Sequence, residues 1–149
     1  MPDPENPFTL IHVATAESHG VRIFPQEEPP DWAKGLAGEG DMSLRGWYED
    51  HVLALLSTTI AREELAIRVT LAGLYQVDAS QFVLEGGGSS STDSLKRLAD
   101  DAKQLLSEQA LPDLYPFMRE LVFRASAEIF PPAAIMLTPK PPQPGPRVD

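Results

Sequence analysis

The chain has 149 residues, of which 42% are hydrophobic and 23% charged. That is the length and balance of one globular domain able to bury about 70% of its unfolded surface, and not of a disordered chain. Twelve Lys+Arg stand against 22 Asp+Glu, a formal net charge of −10, and there is no cysteine; nucleic acid is a poor partner for so acidic a body, and disulfides, thiol nucleophiles and cysteine zinc sites are excluded. No apolar run approaches the ~18 residues of a membrane span, and the first residues carry neither the basic nor the apolar region of a signal peptide, so a cytoplasmic protein without a membrane partner is expected.

Residues 8–13 and 21–24 read as two strand-prone runs, the second stopped by Pro25. Residues 25–50 show no strong periodicity and carry three prolines, four glycines and both tryptophans, the mark of a long functional loop. Its apolar members Trp32, Leu36, Met42, Leu44, Trp47 and Tyr48 suit either adaptable apolar recognition or a small satellite core, and both readings stay open. Residues 51–61 form an apolar and then β-branched run. Residues 64–77 alternate, with Leu65, Ile67, Val69 and Leu71 on one face and Ala66, Arg68 and Thr70 on the other; this period of two predicts a sheet with one half-solvated face. The short polar link at 61–64 predicts an antiparallel hairpin, and Gly73 a bulge or bend.

Residues 86–92, rich in Gly and Ser, read as a flexible connector. Thr92 or Asp93 then caps a helix whose stripe is Leu95, Leu98, Ala102, Leu105 and Leu106. Pro112 interrupts it, and a second helix from about Asp113 carries Leu114, Phe117, Met118, Leu121, Val122, Ala125 and Ile129 before Phe130-Pro131-Pro132 ends it. Strands first and helices last give an α+β fold, an antiparallel sheet covered on one side by C-terminal helices. Residues 1–138 are expected to form the domain, and residues 139–149, rich in proline, a disordered, polyproline-like tail.

The chemistry-bearing residues form no catalytic pattern. His12, His19 and His51 lack metal-ligand spacing, and Glu27-Glu28, Glu63-Glu64 and Asp100-Asp101 are adjacent pairs whose side chains cannot converge on one substrate. Gly86-Gly87-Gly88 has neither dinucleotide nor phosphate-loop spacing, and Ser89, Ser90 and Ser91 lack a nucleophile-elbow context. No enzyme, cofactor or metal is expected.

The segment Leu111-Pro112-Asp113-Leu114-Tyr115-Pro116-Phe117-Met118-Arg119-Glu120, followed by the Phe130-Pro131-Pro132 stop, resembles the aromatic-Pro-aromatic-x-Arg-Glu signature of the SecB chaperone family. Residues 69–75 are similar to that family's glycine bend, Asp31-Trp32 to its acidic-Trp pair and Met42-Ser43-Leu44 to the apolar residues after it. The resemblance runs thinly from Phe8 to Leu137 and is specific only over residues 111–132. It implies a four-stranded antiparallel sheet with a long crossover after the first strand, and a long helix assembling a dimer of dimers through Leu114, Phe117, Met118, Leu121, Val122 and Ala125. It also implies an ATP-independent holdase that takes unfolded polypeptide on Trp32, Leu36, Met42, Leu44, Trp47, Tyr48, Leu74 and Tyr75.

Two departures from the family narrow the expectation. Arg68 stands where the export members carry an acidic residue that docks the SecA motor, Ala66 replaces a nearby leucine, and Ser18, His19 and Phe24 fall where acids are expected; a reversed charge weakens such a contact. The family's final amphipathic helix is replaced by the proline-rich end. Both departures resemble the chaperones of toxin–antitoxin–chaperone modules, so the expected client is an antitoxin and SecA docking is doubtful. The alternatives are a general export chaperone and, in another class, a non-chaperone adaptor or inhibitor subunit.

Overall fold

The computed structural model describes residues 7–33, 41–47, 50–82 and 98–137. Four strands, β1 (Phe8–Arg22), β2 (Asp41–Gly46), β3 (His51–Ala61) and β4 (Leu65–Val77), form one antiparallel sheet in the order β1-β4-β3-β2. Among the described residues one α-helix, α1 (Asp100–Ile129), packs on one face of it.

The β3–β4 hairpin is the framework. Its register runs from Ala61↔Ala66 to His51↔Gln76 without a slip. Val52, Ala54, Leu56 and Ile60 therefore share a face with Leu65, Ile67, Val69, Leu71, Tyr75 and Val77, and all are buried beneath α1. The helix answers with Ala102, Leu106, Ala110, Leu114, Met118 and Val122, also buried and spaced by four. That spacing is what a helix needs to lay one stripe on a sheet.

Several sequence expectations change on this framework. The run at 8–13 and the start of the run at 21–24 belong to one strand, which ends at Arg22. Its polar middle pairs through the backbone with β4, and register shifts between Leu10 and His12 and between Thr15 and Glu17 absorb the mismatch. A strand at the edge of a sheet tolerates such polar side chains because one of its sides meets water. The loop at 25–50 contains β2, six residues alternating between exposed and half-buried, too short for periodicity to announce. Gly73 is no bulge, since it pairs in register with Ala54 and Val13. It is instead a place of close approach: a Cβ there would lie 2.8 Å from Leu114 Cδ2.

The two expected helices are one. Pro112 and Pro116 lie inside α1, both on its exposed side, where the carbonyls left without an N–H partner can turn to water. The buried stripe continues from Ala110 through Leu114 to Met118, past both prolines, and tertiary burial outweighs the lost bonds. The start also moves. Leu98 is not helical but bridges Phe82, and α1 opens at Ala99 with no side-chain cap and with Asp100 and Asp101 in the first turn, favourable to the helix dipole. Thr92, Asp93, Leu95 and residues 139–149 lie outside the described residues.

Beyond α1 the chain turns back. Phe130 ends the helix, Pro131–Ala133 makes a 3-10 turn, and residues 134–137 run beside α1 with Ile135 buried.

Candidate functional site

Pairing register divides the expected contact residues between the two faces of the sheet. The face away from α1 bears Leu53, Leu55, Ala72 and Leu74, with His12 and Ala14 of β1 opposite Leu74 and Ala72. These leucines are half-buried by one another, with no covering element among the described residues. Around them sit polar pairs: Ser57 Oγ and Thr70 Oγ1 share a hydrogen bond at 2.9 Å, Arg68 Nε pairs with Glu17 Oε1 at 3.2 Å, and His51 Nδ1 lies 3.1 Å from Asp50 Oδ1. The result is an apolar strip with a hydrated rim.

Trp32 belongs to this same side but to its far end. The short 3-10 turn Asp31–Ala33 sets it half-buried against Ile23, Ala33, Ala61 and Ala66, with its ring 6.4 Å from that of His19. Leu74 is eight positions along β4 from Ala66, about 26 Å at the rise of a strand. Trp32 and Leu74 therefore mark opposite ends of one surface.

Met42 and Leu44 face the other way. They pair with Leu56 and Ala54 and pack half-buried on the core at the β2 edge. Tyr75, expected beside Leu74 as a contact residue, is fully buried under α1, because adjacent strand positions point to opposite faces. Its hydroxyl donates to Asp113 Oδ2 at 2.8 Å. Burial first, and then that carboxylate, hold the Tyr75 phenol far above its ordinary pKa, so it stays a protonated tie between sheet and helix. Trp47 is exposed just past β2, and Leu36 and Tyr48 lie outside the described residues.

The stripe proposed for assembly divides as well. Leu114, Met118 and Val122 are spent on the chain's own core, which corrects the expectation that they face a partner. Leu121 and Ala125 are half-buried at its margin, while Phe117 is 47% exposed. Sequence reading took the stripe as one face, but a helical residue three or four positions on from a buried one can lie at either margin. Phe123, 44% exposed and off that stripe, was missed for the same reason. Leu53 and Leu55 were missed because residues 51–61 form an apolar and then β-branched run with no alternation to separate its two faces.

A second apolar depression follows the outer side of α1. An open trough of about 260 Å³ is lined by Pro116, Arg119, Glu120, Phe123, Met136 and Leu137. Next to it a smaller depression lies between Phe117 and Leu121 of the helix and Val13 and Leu71 of the sheet, and Arg124 and Glu120 form an ion pair at its lip. Among the described residues no group of three or more His, Cys, Asp or Glu could hold a metal ion, and no helix is long and apolar enough to cross a membrane. The chemistry on offer is burial of apolar chain beside polar edges.

No family model and no curated protein matches this sequence. Solved structures do match its fold. A Streptococcus agalactiae protein of unknown function superposes with a TM-score of 0.56 at 11% identity, over 88% of this chain and 96% of that one. The Mycobacterium tuberculosis Rv1957 SecB-like chaperone, solved with a ChAD peptide from the Rv1956 HigA1 antitoxin, superposes with a TM-score of 0.52 at 11% identity, over 88% of this chain and 89% of that one. The four-stranded antiparallel sheet followed by a C-terminal helix is the SecB-like architecture.

Proposed function

We propose that this protein is an ATP-independent holdase that shields unfolded polypeptide on uncharged surface, and that its dedicated client is the antitoxin of a toxin–antitoxin–chaperone module. The observation that carries the reading is the SecB-like fold, shared with a chaperone solved on an antitoxin peptide, in a chain that leaves leucines open on the sheet and aromatic rings open on the helix. Covering such surface with a client's apolar side chains yields about 25 cal/mol per Å², while the net charge of −10 keeps the loaded complex dispersed. Assembly as a dimer of dimers through the flank of α1 that bears Phe117, Leu121 and Ala125 belongs to the same proposal. Engagement of Arg68 by Glu17 leaves that part of the sheet without the acidic docking character of an export chaperone.

The test is co-elution in size-exclusion chromatography, without nucleotide, of the purified protein with a synthetic peptide copying the C-terminal extension of an antitoxin encoded beside it. A stable complex that a permanently unfolded polypeptide displaces supports the reading. A gene standing among export components, with tight SecA binding and no antitoxin, contradicts the dedicated role. Failure to bind any unfolded chain contradicts the holdase itself.

A further inference from the structure

The segment after α1 is held through its main chain by side chains of the helix it follows. Ser126 is fully buried; its Oγ donates to the Val122 carbonyl at 2.8 Å and accepts the backbone N–H of Ile135 at 2.7 Å. About two turns back along the same helix, Arg119 Nε donates to the backbone carbonyl of Leu137 at 3.2 Å. Both grips are on main-chain atoms, so neither reads which side chains the segment carries. The side chains alternate as in a strand: Ile135 is buried, Met136 is 74% exposed and Leu137 is half-buried. Any extended chain with an aliphatic group at every second position offers the same N–H, the same carbonyl and the same fillings.

We propose that this track on α1, from Ser126 to Arg119, is a binding subsite for an extended apolar stretch of client polypeptide, and that residues 134–137 occupy it in the free protein and leave it when client arrives. The inference rests on the holdase reading above and names a subsite of it. Two further features support exchange. The open trough between Pro116, Phe123 and Met136 lets an incoming chain begin to bind before the resident one has left. Departure of Ile135 removes the N–H that Ser126 Oγ accepts and exposes apolar surface that Ile135 covers; an incoming extended chain restores both, so the site favours replacement of one chain by another over vacancy. The resident segment thereby lowers apparent client affinity by the fraction of time it occupies the track.

Amide hydrogen exchange on the full-length protein tests this, with reduced, carboxymethylated α-lactalbumin as the unfolded probe. The expected result is co-elution of the probe and faster exchange of the Ile135 amide in the complex, with the amides of α1 around Leu114 unchanged. Co-elution with unchanged or slower exchange at Ile135 overturns the subsite and leaves the holdase reading standing. Absence of co-elution with this probe and with the C-terminal peptide of the neighbouring antitoxin alike overturns both. As a second arm, Ile135→Ala loosens the resident segment and is expected to tighten probe binding about fivefold. Unchanged or weaker binding by a variant with the parent's circular dichroism spectrum overturns the proposal.

Discussion

Leu114 fills the space that Gly73 leaves open. A Cβ on Gly73 would lie 2.8 Å from Leu114 Cδ2 and 3.3 Å from Leu10 Cδ1 and Tyr75 Cε2, and Leu114 itself is fully buried. Leu114→Ala therefore opens a cavity walled by the sheet, at a cost of about 3 kcal/mol. For a chain of this length that lowers Tm by about 6–12 °C. Gly73→Ala alone forces the Leu114 methyl aside and costs about 1–2 kcal/mol, of which about 0.5 is returned by a stiffer unfolded chain. In the double variant the obstructing methyl is gone and the new one lies in the cavity. The pair should be less destabilised than the sum of the single variants by about 1.5 kcal/mol. Urea unfolding followed by circular dichroism measures all four corners of the cycle, at two protein concentrations so that assembly does not enter the comparison. Additivity to within about 0.3 kcal/mol would refute the packing of α1 on β4 described above.

Tyr75→Phe removes the tie to Asp113 and should cost about 1–2 kcal/mol at pH 7. Because the phenol's pKa is raised in the fold from its ordinary 10.0, the wild-type advantage is complete below that value. It then shrinks by up to about 1.4 kcal/mol per pH unit above it; a stability difference that stays constant from pH 9 to pH 11 contradicts this account. Phe117→Asp places a charge on the exposed flank of α1 and should shift sedimentation toward smaller species without loss of helix. Unchanged sedimentation removes that flank from the assembly. Trp32→Ala and Leu44→Ala should each weaken binding of an unfolded polypeptide about tenfold in a fluorescence titration, with circular dichroism unchanged; loss of fold in either would place that residue in a satellite core.

The hairpin was legible because burial on one face forces a strict period of two, and Leu65, Ile67, Val69 and Leu71 display it. The long helix was legible only in part. Pro112 looks like an interruption when local rules act alone, and only the continuous burial of Ala110, Leu114 and Met118 under the sheet shows why the helix runs through it. Edge strands speak more weakly: β1 hides its middle in polar residues because its pairing is through main chain, and β2 is too short to show a period. The candidate site suffered from the same geometry. Leu74 and Tyr75 are neighbours in sequence and so occupy opposite faces. Trp32 and Met42 share a connection yet pack on opposite sides of the sheet. Tertiary grips such as Ser126 on Ile135 leave no local trace, since a serine inside a helix reads as an ordinary polar position.

Light scattering from a chemically denatured protein diluted into buffer without nucleotide addresses the central claim most directly. The account predicts that a few-fold molar excess of this protein suppresses the rise in scattering, and that Trp32→Ala does so less well at equal concentration. Scattering that rises at the same rate with and without the folded protein, for general clients and for the neighbouring antitoxin alike, would contradict it.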